Sequence, residues 1–197
     1  MGSSNYTARQ LMKALWICDR DGLEPFVSEQ IYYSLQARDV ENELIPIAIE
    51  ESLGVLVWSP LAGGLLSGKY RRGQEAPEGT RRFEGWTEPP VHDEDRLYDT
   101  IDALVAIGEQ HGVSAAQVAL AYTLAKPAVT SVIVGARTEE QLRDNLGAAE
   151  LSLDADELAR LDDVSRVPLL YPYWHQANTG AGRLSPADLS LLGQHMG

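Results

Sequence analysis

An α/β fold with parallel strands joined by crossover helices is what this sequence predicts, on three observations. Residues 25–34 alternate in part and read as a strand ending near Tyr33, a helical stretch follows from Asn42, and Gly54-Val-Leu-Val-Trp-Ser-Pro60 is a strand closed by proline. Strand, helix and strand at this spacing call for a parallel sheet with crossover helices. Val132, Ile133 and Val134 then form an almost unbroken apolar run of the kind a strand buried on both faces needs, and Gly135 ends it. A helix follows at once, with Thr138 as N-cap, Gln141 as its capping-box partner, and Leu142 and Leu146 as an i, i+4 apolar face.

The remaining elements fall into order around these. Gly2-Ser-Ser-Asn-Tyr6 leads into a helix capped by Thr7 and stopped by Gly22, on which Leu11, Leu15 and Cys18 share a face with Met12. A globular domain seldom opens on a loop and a helix, so these first residues read as the end of a further strand. The helix from Asn42 runs through Leu44, Ile45, Ala48 and Ile49 toward Gly54, and Pro46 is tolerable only in its first turn. Residues 61–92 are rich in Gly, Pro, Arg and Glu and read as a long loop over the strand ends, the kind of segment that covers a ligand. Helices are expected at about 93–110, at 114–126 capped by Ser114 and ended before Pro127, and at 154–164 with Leu158 and Leu161. The tail, 168–197, is aromatic at first and weakly helical from Ser185. No repeat or low-complexity linker divides residues 1–197, which read as one domain or part of one.

Composition narrows the function classes. With 44% hydrophobic and 23% charged residues, the 197-residue chain has the balance of an ordinary soluble protein. A net charge of -13 argues against nucleic acid or an anionic membrane as partner, so an anionic ligand needs a local basic pocket. The one cysteine, Cys18, excludes an internal disulfide and, beside Trp16 and Ile17, reads as a buried structural thiol. No apolar run reaches membrane-spanning length and the first residues lack signal-peptide features, so the expected location is cytoplasmic.

The turn Gly135-Ala136-Arg137 supplies the local basic pocket. A strand turning here into a helix brings free backbone N–H groups, a positive helix end and a guanidinium together, a combination that binds phosphate. Many such turns bind nothing, so an ordinary surface turn is the alternative.

Trp58-Ser-Pro-Leu-Ala-Gly-Gly-Leu-Leu-Ser-Gly-Lys-Tyr70 resembles the aldo-keto reductase superfamily, and Gly135-Ala-Arg-Thr-Glu-Glu-Gln-Leu-Arg-Asp-Asn145 is similar to its cofactor-binding signature. Gly2-Ser-Ser-Asn-Tyr6 resembles the loop after that family's fifth strand, and Gln30 sits where its sixth carries glutamine. Four segments in register cover nearly all of residues 2–176. The resemblance implies part of a (β/α)8 TIM barrel, its carboxyl-terminal half, binding NADP(H) at the carboxyl ends of the strands. It implies that Ser4, Asn5 and Gln30 hydrogen-bond the nicotinamide carboxamide and that Trp58 stacks on the ring. Ser59, Leu61, Gly63, Lys69 and Arg81 would hold the pyrophosphate, and Gly135, Arg137, Gln141, Asp144 and Asn145 the 2′-phosphate and adenine.

The same family completes hydride transfer to a small carbonyl substrate with an Asp, Tyr, Lys and His tetrad placed before its fifth strand. Tyr32, Tyr33, Lys69, His92 and His111 lie in no segment resembling those positions, so no catalytic residue is assigned. The tail Tyr171-Pro-Tyr-Trp-His-Gln176 resembles tails bordering the substrate pocket, with His175 as a contact or a packing residue. A half-barrel would expose open strand edges and an apolar inner face, so a complementing amino-terminal half or a second copy of the chain is expected as partner. A non-catalytic NADP(H)-binding module and an inactive scaffold are the other readings.

Overall fold

The computed structural model describes residues 1–193, leaving out the side chains of Ala181, Leu191 and Leu192. Four strands, β1 (Gly2–Ser4), β2 (Ser28–Tyr32), β3 (Gly54–Trp58) and β4 (Val129–Ile133), form one sheet in chain order, every neighbouring pair parallel. The opening residues are thus a strand in their own right. Three residues are too few for a periodic signal, and Gly2 serves because a Cβ there would lie 2.3 Å from the Ser28 hydroxyl.

Eight α-helices are described: α1 (Ala8–Asp21), α2 (Leu44–Glu50), α3 (Glu94–His111), α4 (Ala115–Leu124), α5 (Glu139–Gly147), α6 (Ala155–Val164), α7 (Tyr173–Thr179) and α8 (Pro186–Leu192). Local chemistry sets most of their ends. Thr7 and Gln10 close a capping box on α1 and Gly22 stops it in the left-handed conformation. Asp93, Ser114, Asp154 and Ser185 each accept a first-turn N–H. Helix α2 starts later than Asn42, because residues Asp39–Asn42 form a 3-10 turn that delivers the chain to Leu44.

Register divides the sheet into two unlike faces. Ser3, Glu29, Ile31, Val55 and Val57 are buried, and the apolar members pack with Leu11 and Leu15 of α1 and Ile45 and Ala48 of α2. The opposite face carries Ser4, Gln30, Tyr32, Leu56, Trp58 and Ile133, aligned by the pairs Ser4↔Gln30, Gln30↔Leu56, Tyr32↔Trp58 and Trp58↔Ile133, and it is partly open. A second core gathers α3, α4 and α6 over the 3-10 turn Ala62–Ser67, through Leu66, Leu97, Ile101, Leu104, Val118, Tyr122 and Leu161.

A polar clasp ties the two cores. Buried Arg38 donates to both oxygens of Glu41 at 2.9 Å, to the Asp162 carbonyl at 2.8 Å and to the Ser165 hydroxyl at 2.9 Å. Tyr33 donates to Glu41, while Tyr122 and Lys126 donate to Asp162. Every charge there has an opposite partner, as burial demands.

Several expectations are corrected. Strand β4 begins at Val129 and ends at Ile133, and it is not buried on both faces: Ile133 is 45% exposed, because it lies beside Trp58 on the open face of the sheet. Leu142 and Leu146 are likewise exposed and form no core-facing stripe. Gln141 accepts the Arg137 N–H, at 2.9 Å, rather than closing a capping box with Thr138. Cys18, in the last turn of α1, is half-buried rather than buried. The tail forms α7 as well as the helix expected from Ser185, and that helix, α8, packs on α2 with Ala187 buried. Residues 194–197 of the tail lie outside the described residues. Among the described residues, no helix is long and apolar enough to cross a membrane and no group of His, Cys, Asp and Glu side chains forms a metal site.

Candidate functional site

At the carboxyl end of β3 the chain leaves the sheet through a run of left-handed backbone: Ser59 (φ 51°), Ala62 (φ 50°), Gly63 (φ 65°) and Gly64 (φ 95°). Such conformations cost energy outside glycine and persist where surrounding contacts fix them. Here the Ser59 carbonyl accepts the Ala62 N–H at 2.8 Å and its hydroxyl accepts the Gly63 N–H at 3.0 Å. The missing side chains leave room for what stands behind. A Cβ on Gly64 would lie 3.1 Å from the Lys69 ammonium, and one on Gly63 would lie 3.3 Å from Pro89.

This turn forms one wall of a groove of about 660 Å³, and the turn from β4 into α5 forms the other. Ser59, Leu61, Gly63, Lys69 and Arg81 line it from the first side, with Gly135, Arg137, Gln141, Asp144 and Asn145 on the second. All the residues that the resemblance assigned to pyrophosphate and to the adenosine end are therefore brought together. Ser4, Asn5, Gln30 and Trp58 do not line this groove. They form a separate cluster at the adjoining strand ends.

That second cluster is hydrogen-bonded within itself. The Trp58 indole N–H donates to the Asn5 side-chain oxygen at 3.0 Å, the Asn5 amide donates to the Ser4 hydroxyl at 2.8 Å, and Ser4 donates to the Gln30 carbonyl at 3.2 Å. Tyr32 lies against Trp58 with ring centroids 4.9 Å apart and planes 30° apart. Burial, offset in part by a hydrogen bond with Ser34, pushes the Tyr32 phenol up to about 12. Trp58 is 37% exposed, so one end of an aromatic pair is presented to solvent beside amide and hydroxyl groups.

The groove's lining gathers Lys69, Arg81 and Arg137 beside the carboxylates of Glu84 and Asp144. Among the described residues, Lys69, Arg81 and Arg137 take part in none of the ion pairs, although the chain carries 29 acidic side chains against 16 basic ones. Lys69 lies 5.2 Å over the Tyr70 ring and Arg81 5.3 Å over that of Trp86. Arg137 donates to the Gly79 carbonyl at 3.3 Å, which brings the long loop across the groove. Three cations without carboxylate partners facing one cleft are a donor set for an elongated polyanion.

Asp144 stands apart from the other predicted contacts. One of its oxygens accepts from Ser114 and the other from the Gln117 amide, both at 2.7 Å, so it braces α5 against α4. Ser114 had shown only a capping signal in the sequence, and Gln117 none, because both act across the fold. Gly64 and Gly79 were equally silent. His175, on exposed α7, lines no part of the groove.

Comparison with known proteins agrees with the architecture. The family model described as Aldo/keto reductase family matches residues 1–166. The chain is 38% identical over 164 residues to the uncharacterized oxidoreductase YrpG of Bacillus subtilis, covering 83% of this chain and 48% of that protein. It is 34% identical over 169 residues to the protein tas of Escherichia coli, 85% of this chain and 48% of the relative. A probable voltage-gated potassium channel subunit beta of Arabidopsis thaliana is 33% identical over 152 residues, 76% of this chain and 46% of the relative. The chain spans about half the length of the curated relatives it matches. With a parallel sheet flanked by helices, the matched signature segments at its strand ends and a family match over most of its length, this chain belongs to the aldo/keto reductase family.

Proposed function

We propose that this chain is the cofactor-binding portion of an NADP(H)-dependent oxidoreductase that reduces aldehydes or ketones to alcohols. The observation that carries this reading is the groove with three unpaired cations in a chain of net charge -13. Its donor chemistry and the space left by Gly63 and Gly64 fit a phosphorylated dinucleotide, with Arg137 at the 2′-phosphate and Lys69 and Arg81 at the pyrophosphate. Asn145, nine-tenths buried, and Gln141 would meet the adenine end. Ser4, Asn5 and Gln30 would read the carboxamide, and the exposed face of Trp58 would take the nicotinamide ring. When bound, the cofactor supplies hydride, and the residues named here hold and orient it. The proton donor for the carbonyl oxygen is proposed to come from outside these residues, on a complementing amino-terminal half.

The alternative is an NADP(H)-binding module without catalysis. Relatives named as voltage-gated potassium channel beta subunits support it. Carbonyl reduction assayed with and without an added amino-terminal half separates the two.

Calorimetric titration of the chain with NADPH and NADH tests the cofactor role. Charge-assisted bonds to a phosphate contribute about 1.5–3 kcal/mol, so Arg137→Ala should weaken NADPH by about ten- to a hundredfold and NADH little. Equal losses for both cofactors would refute the 2′-phosphate role of Arg137.

A further inference from the structure

Glu29 breaks the pattern of its strand. Its neighbours on the helix-facing side of the sheet, Ile31, Val55 and Val57, are apolar and buried, yet Glu29 is buried equally well, at 1% exposure. A carboxylate survives there only if its oxygens are satisfied. One accepts from the Ser3 hydroxyl and the other from the Tyr6 backbone N–H at 3.1 Å. Tyr6 immediately precedes the N-cap of α1, a helix with no acidic residue in its own first turn, so Glu29 also places negative charge near that positive end.

Those two contacts bracket Ser4 and Asn5. Between them the backbone makes its left-handed step at Asn5 (φ 56°), fixed from the other side by the Asn5 N–H donating to the Gln30 carbonyl at 3.0 Å. Asn5 in turn accepts from the Trp58 indole and donates to Ser4. A buried charge thus sets the conformation of the turn that joins the strand ends to Trp58. An apolar residue would fill the same space and set nothing.

We propose that Glu29 is a positioning residue for the nicotinamide end of the site, acting through Ser3, Tyr6 and Asn5 on the orientation of Ser4 and Trp58. The proposal rests on the cofactor reading above. It places control of the nicotinamide end apart from the phosphate groove, so the two ends of the ligand respond separately.

The test uses the full chain with two ligands, NADPH and adenosine 2′,5′-bisphosphate, which reaches only the groove. Glu29→Ala should weaken NADPH about tenfold and the bisphosphate less than about twofold, a range typical of residues that orient a contacting group. Glu29→Gln keeps the shape and an acceptor for the Tyr6 N–H, and it should recover most of the loss. In the ligand-free chain, the Trp58 indole 1H–15N signal should move in Glu29→Ala and return in Glu29→Gln. Equal weakening of both ligands, no weakening of either, or an unmoved indole signal overturns the proposal alone. Failure of the unaltered chain to bind either ligand overturns the cofactor reading and this proposal with it.

Discussion

Gly64 and Gly135 are both glycines of the groove, but they serve different purposes. Gly64 has φ 95° and stands against the Lys69 ammonium, whereas a Cβ on Gly135 would meet nothing within 4 Å. Gly64→Ala should therefore destabilise the chain by about 1–2 kcal/mol and displace Lys69, weakening NADPH several-fold. Gly135→Ala should leave the urea midpoint unchanged. Urea denaturation and calorimetry on the two variants check both outcomes. The Gly135-Ala-Arg stretch was legible because its signature is contiguous in sequence. The conformational demand at Gly63 and Gly64 was not, since it arises from Lys69 and Pro89 folding back behind the turn. Glu29 was silent for the same reason: its partners, Ser3 and Tyr6, are on another strand and at the mouth of a helix.

Among elements, the helices were the most legible, because a cap is written within four residues. Thr7, Ser114, Asp154 and Ser185 each begin a helix where the sequence predicts one. The clasp around Arg38 could not be seen, as it joins the segment after β2 to residues on α4, on α6 and just past α6. Its two tyrosines make alkaline stability a direct probe. Burial pushes the phenols of Tyr33 and Tyr122 well above their ordinary range, with the negative charge of Glu41 adding to it at Tyr33 and that of Asp162 at Tyr122, where Arg38 opposes the rise. Both therefore stay neutral in the fold while their unfolded counterparts ionise near pH 10. Their contribution is complete below about pH 10 and is lost as the pH rises above it, by up to about 1.4 kcal/mol per unit for each tyrosine. Urea midpoints followed from about pH 9 to about pH 11 should fall, and Tyr33→Phe or Tyr122→Phe should flatten the fall. A flat profile in the unaltered chain would contradict this account of the clasp.

For the whole molecule, the parallel sheet with crossover helices was readable from the alternation of strands and helices, whereas the order of the strands, which alternation does not set, was not, and the sheet leaves one face partly open. That face carries Leu56, Tyr32, Trp58 and Ile133, and apolar residues are also exposed elsewhere, on α1 (Met12, Trp16) and α5 (Leu142, Leu146). Edge strands and apolar faces of this kind invite pairing. The chain is accordingly proposed to join a complementing amino-terminal half or a second copy of itself. Sedimentation at micromolar concentration should give a mass above the monomer's 21.6 kDa, or a shift to a complex when the other half is added. A monomer that neither binds that half nor binds a fluorescent apolar dye would contradict it.

The three unpaired cations also set how a ligand arrives. A polyanion approaching a body of net charge -13 is repelled at long range and attracted only once inside the groove. Added salt shortens the reach of that repulsion to about 8 Å at physiological strength while sparing contacts at atomic distance. NADPH capture should therefore quicken, rather than slow, as ionic strength rises from low values, while release, governed by the spared contacts, changes little. Stopped-flow traces across a salt series would make the molecule's overall charge visible as a toll on entry.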